Sequence, residues 1–180
     1  EAHMKNKMLA LGLLALAVVT GQRAAAQQVN SIDGTITVTP VASVMLQLSP
    51  TFYAFGNVDV NTTTNSITAL VLSSTGTVGA TMQKHVLTEP SGWTAAAAAA
   101  ANVYVLHATA QATNPGGAAL DAATKFLAAN ALSNLTDNST TQTALSASGT
   151  VNLWYRLVMP TATTTQAART ITVRYTGTAQ

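Results

Sequence analysis

The sequence predicts an all-β protein, an antiparallel β-sandwich carrying one short helix. Three observations carry that reading. Apolar and polar residues alternate with a period of two in several short runs, clearest in Val151–Met159 and Arg169–Thr176, the pattern of half-buried strands. Turn signals rich in Pro, Gly, Ser and Asn separate these runs at short intervals, as in Ser49-Pro50-Thr51, Glu89-Pro90-Ser91-Gly92 and Asn114-Pro115-Gly116-Gly117. Residues 27–180 contain 29 Thr and 27 Ala, while the whole chain is only 8% charged and has no cysteine. Threonine suits a pleated, half-buried surface. Few charges together with many Val, Ile and Leu are the opposite of the composition of disordered chains.

Taken in order, Thr35–Thr39 alternates so that Ile36 and Val38 share a face, and Pro40 separates it from Val44–Leu48. Phe52–Val60 reads as a strand broken at Gly56, and Ser66–Ser73 as a central strand apolar on both faces. Val78–Thr88 follows, anchored by Met82 and Val86. The alanine run 95–101 is too short to make a helix by itself and reads as a small-residue link or short helix before the strand Asn102–Ala110. Ala118–Leu132 is the predicted helix: Leu120, Ala123, Leu127 and Ala131 share a face, and Asp121 and Lys125 stand four apart. In Val151–Met159 the apolar face is Val151, Leu153, Tyr155, Leu157 and Met159, with Asn152, Trp154, Arg156 and Val158 opposite. In the last strand Ile171, Val173 and Tyr175 oppose Thr172 and Arg174. About eight strands with close turns suggest an immunoglobulin-like sandwich or a jelly roll.

The formal charge of +2 is concentrated at the start of the chain. Residues 1–4 read as a cloning remnant, with Met4 as the natural start. Residues 5–26 read as a signal peptide: Lys5 and Lys7, an apolar run from Met8 to Thr20, then a small-residue cleavage site ending at Ala26. That run is too short to span a bilayer, so no stable membrane span is expected in the mature chain. Residues 27–180 are then expected to form one sandwich domain, with 27–39 either its first strand or a donor strand for a neighbouring copy. Five basic and five acidic side chains balance in that stretch. Nucleic-acid binding, which needs clustered Lys and Arg, is therefore not expected.

The stretch Ser49–Gly76, SPTFYAFGNVDVNTTTNSITALVLSSTG, resembles secreted bacterial immunoglobulin-like domains of the ASH/Hydin type. Phe55, Gly56, Val58 and Gly76 match that pattern, whereas Asn61 replaces a second Gly and Ser74 an Asn. PSGWT (Pro90–Thr94), NLWYRLVMP (Asn152–Pro160) and ITVRYT extend a likeness to secreted bacterial proteins of similar length, and more loosely to camelysin- and TasA-type fibre subunits. The resemblance implies an exported structural or adhesive module and carries over no catalytic residues.

The residues themselves suggest little chemistry. His85 and His107 are the only histidines after the leader, His107 lies in an alternating strand, and no GxSxG elbow occurs. No enzyme activity is expected. Single, scattered carboxylates such as Asp33 and Asp59 do not form a calcium loop, and no metal or cofactor is expected. Lys84 or Lys125, with Glu89 or Asp59 as a nearby acid, could in principle form an isopeptide cross-link to an asparagine. Trp154, Arg156 and Arg174 form a candidate outward interface, since Trp and Arg are enriched at hot spots; burial of that face under the helix or a loop is the competing reading. Ile36 and Val38 are interface candidates on the N-terminal segment. Trp93 and Trp154 are candidates for stacking a sugar. The expectation is an exported structural protein at the cell surface or outside it, assembling as a homo-oligomer or polymer into a fibre or surface layer. A carbohydrate- or surface-binding module is the alternative.

Overall fold

A computed structural model describes Thr35 and residues 37–180. The expected leader, residues 27–34 and Ile36 lie outside the described residues. Pro40–Gln180 forms one compact unit. The described residues before it, Val38 included, are exposed and carry no strand.

Within this unit the fold is the expected all-β arrangement of two sheets. In chain order the elements are β1 (Leu46–Ser49), β2 (Thr63–Asn65), β3 (Leu70–Ser74), β4 (Ala80–Thr88), β5 (Thr94–Ala95), β6 (Val103–Ala110), α1 (Gly117–Leu120), a 3-10 turn (Ala123–Lys125), β7 (Ser133–Asn134), β8 (Ala144–Leu145), β9 (Thr150–Val158) and β10 (Thr172–Ala179). Sheet 1 runs β1-β3-β9-β6-β5, with β2 also on β9. Sheet 2 runs β10-β4-β7, with β8 also on β4. The pairs are antiparallel except β5 on β6.

The two-residue period decides what fills the space between the sheets. Leu153, Tyr155 and Leu157 of β9 meet Leu70 and Leu72 of β3, Tyr104 and Leu106 of β6, and Met82 and Val86 of β4. Val173 and Tyr175 close this core from β10. Burying each such side chain contributes roughly 1.5–3 kcal/mol. Gly76 sits in the tight connection after β3, where an added Cβ would lie 2.2 Å from the Ser43 carbonyl oxygen. Only glycine lets those two backbones approach so closely.

Two predicted elements differ, and a third takes one of its two expected forms. Phe52–Val60 forms no strand; Gly56 and Asn61 adopt positive φ, which breaks an extended ladder. The alanine run takes the link form of its two expected readings: Ala95 ends the two-residue β5, and Ala100 and Ala101 make isolated bridges. The helix predicted over Ala118–Leu132 is reduced to α1 and the 3-10 turn. The rest is extended because sheet edges compete for its backbone: Leu127 N–H donates to Leu106 O at 2.9 Å, Asn130 N–H to Val86 O at 2.9 Å, and Val86 N–H to Ala128 O at 3.0 Å. Residues 126–130 thus join the β6 edge of sheet 1 to the β4 edge of sheet 2 and close that side of the sandwich. The Asp121–Lys125 helical pair does not form, and Asp121 instead meets Arg156 at 3.5 Å.

Candidate functional site

The opposite side of the sandwich is open. Its borders are β1 in sheet 1 and β10 in sheet 2, each a terminal strand of its sheet. Among the described residues no backbone partner lies on the outer edge of β10. The eight residues TVRYTGTA contain no Pro or Lys, two residues that often blunt exposed edges. One irregularity in register falls at Thr172/Val173, at the beginning of the strand. Between the two edges lies a slot of about 250 Å³, lined by Leu46, Leu48, Leu72, Val173 and Tyr175 together with the polar Gln47 and the interface candidate Arg174. The edges are held near one another by packing, since Val44 and Leu46 side chains crowd over Gly177.

This slot adjoins a larger cleft of about 1200 Å³ lined by Tyr53, Phe55, Trp93, Leu106, Tyr155 and Arg169 among others. Polar side chains line it as well, among them Asn57, Asp59, Thr163, Gln166 and Arg169. The Tyr155 and Tyr175 hydroxyls share a hydrogen bond of 2.7 Å. Burial pushes the Tyr155 phenol up to about 12, and burial is also the main cause of the rise at Tyr175. Both phenols therefore remain neutral donors and acceptors at neutral pH.

The stripe expected from Trp154, Arg156 and Arg174 is divided by the fold. Trp154 and Arg156 lie on the face of β9 away from the core, and Arg174 lies on β10, opposite His85 of β4. Residues 111–121 fold over the first two. Trp154 Nε1 donates to Gln111 O at 2.9 Å, and Arg156 donates to Gly117 O at 2.8 Å while facing Asp121. Trp154 is 8% exposed. The segment leaving β6 crosses that face before it returns to the β6 and β4 edges at residues 126–130.

Trp93 is on the core side of sheet 1, away from Trp154, so the two indoles do not form a common platform. Its Nε1 donates to Thr163 Oγ1 at 3.2 Å, and the Arg169 guanidinium lies over its ring at 5.7 Å. Arg169 is itself tied to Ser91 O and Thr165 Oγ1. A sugar stacking on this ring face would have to displace an anchored cation.

The two lysines named as cross-link candidates, Lys84 and Lys125, are both buried, which their candidacy did not require. Lys84 shares its strand face with Ala80, Met82 and Val86, so the alternation itself places its amine toward the core. Its Nζ donates to Asn134 O at 2.6 Å and Thr124 O at 3.1 Å. Burial, and secondarily Lys125, lowers its pKa to about 8. Lys125 is also buried, with its amine on Ala119 O and Asn138 Oδ1. No local pattern marked that position. His107 packs edge-on against Phe126, and burial is the main cause of its lowered pKa.

Among the described residues, no helix is long and apolar enough to cross a membrane. No family model matches the chain, and neither does any curated protein or solved structure compared with it.

Proposed function

We propose that this chain is an exported structural protein whose copies assemble through strand pairing into an extracellular fibre or surface layer. The observation that carries the reading is the open border formed by β10 and β1, with a slot of mixed apolar and polar lining between two terminal strands. An extended segment of a second copy laid along β10 would complete its hydrogen bonds and set alternate side chains into the slot. The composition agrees with this. A surface with few charges resists association weakly, and without cysteine the contacts that hold an assembly must be hydrogen bonds and packing. Resemblance to secreted sandwich proteins and the leader-like start support export. The alternative, a carbohydrate-binding module, draws less support, because both tryptophans are buried in intramolecular contacts.

Negative-stain electron microscopy of the purified chain, paired with light scattering, tests the proposal. Filaments or ordered sheets are the expected result. The double variant Thr172→Lys/Thr178→Lys places charge at two exposed positions of β10 and should abolish them while the monomer stays folded. A chain that stays monomeric at high concentration counts against assembly. Equal assembly by wild type and the double variant would exclude β10 as the contact. Deleting residues 27–39 asks whether that segment is the incoming strand: a folded monomer that no longer assembles is the expected outcome, and unchanged assembly would exclude it.

A further inference from the structure

Residues 27–180 contain two lysines, Lys84 and Lys125, and neither amine reaches the surface: they are 0% and 1% exposed. Among the described residues neither has a carboxylate within ion-pair distance. A buried ammonium without a counter-charge is costly, so the surroundings of each amine matter. Lys84 is held by two backbone carbonyls, which are unreactive hydrogen-bond acceptors. Lys125 differs, because one of its acceptors is a side-chain carboxamide. Its Nζ lies 3.0 Å from Asn138 Oδ1. With a C=O bond of about 1.23 Å and an acceptor angle above 90°, Nζ stands roughly 3.2–4.2 Å from the amide carbon. A small rotation of the carboxamide brings that to the ~3–3.5 Å of a near-attack contact.

The asparagine is also held from its own side. Asp137 Oδ1 accepts the N–H groups of Ser139 at 2.8 Å and Thr141 at 2.9 Å, which fixes the turn that presents Asn138. Burial lowers the Lys125 pKa, with the Asp137 charge opposing it, so the nucleophilic neutral amine is more accessible than in a solvated lysine.

We propose that Lys125 and Asn138 become joined by an intramolecular isopeptide bond. The Nζ lone pair attacks Asn138 Cγ, the Cγ–Nδ2 bond breaks, and one proton of the attacking amine passes to Nδ2, which leaves as ammonia. The products are one secondary amide and one ammonia, and no oxidant or further reactant enters. The bond removes a buried titratable group and leaves an amide in its place. It also ties the 3-10 turn to the 137–141 turn, within a segment that has little regular structure of its own. In a chain without cysteine, it would brace this region as a disulfide closes a loop elsewhere.

Trypsin digestion of the denatured full chain, read by mass spectrometry, tests this, because trypsin does not cut after an acylated lysine. Lys125 is the only trypsin site inside His85–Arg156. The expected product is that peptide uncut at Lys125 and lighter by one ammonia, about 17 Da. Asn138→Ala should restore both the cut and the full mass. Peptides His85–Lys125 and Phe126–Arg156 at their sequence masses would overturn the proposal. So would ammonia loss in peptides still cut after Lys125, since ammonia can also leave from an asparagine succinimide or a terminal glutamine. The readout on the wild-type chain does not depend on whether the variant folds.

Discussion

Raising the pH from about 7 to about 9.5 should stabilise this protein, through Lys84. In the folded chain its pKa is about 8, against 10.5 for a free lysine, because the amine is buried under the 117–136 segment. The unfolded state therefore binds the proton more tightly, and between these two values stability rises with pH. Below the folded value both states are charged and the burial cost is present in full. The whole difference corresponds to about 3 kcal/mol, of which about 2 kcal/mol is recovered by pH 9.5. The buried phenols act in the opposite sense at higher pH. Folded values above the unfolded one, as for Tyr155 at about 12, make stability fall once unfolded tyrosine ionises near pH 10. A stability maximum near pH 10 is the expected profile. Urea unfolding followed by the fluorescence of the two buried tryptophans measures it at each pH. Lys84→Met keeps most of the side-chain volume, cannot titrate, and should lose most of the gain. A wild-type midpoint that is flat or falling between those pH values, or an equal gain in Lys84→Met, would refute the reasoning.

Two further predictions follow from packing. Gly76→Ala places a Cβ against the Ser43 carbonyl and should destabilise the chain by about 1–3 kcal/mol, with hydrogen-exchange protection lost first around Ser43 and Thr77, whose backbones are bonded there at 2.9 Å. Arg156→Ala removes the hydrogen bond to Gly117 O and the Asp121 contact. It should cost about 1–3 kcal/mol, read by denaturation, and should raise exchange in 117–121 while leaving β3 protected.

The sequence alone determined the strands whose alternation is long and clean. β9 and β10 place the residues of one parity in the core, as read from Val151 to Met159 and from Ile171 to Tyr175, because a period of two leaves an antiparallel strand one face to bury. The same rule already held the position of Lys84 beside Met82 and Val86. Tertiary structure decided where local preference was weak or competed with a neighbour. Ala118–Leu132 has helical spacing, yet its N–H groups find better partners on the β6 and β4 edges. Trp154 and Arg156 face outward from β9 by parity, but only the path of residues 111–121 shows that this face is covered. The meeting of Lys125 with Asn138, and of β1 with β10 across an open border, depends on contacts between residues far apart along the chain or joined by irregular turns. A periodic pattern specifies which face of a segment is buried; it does not specify what comes to rest against that face.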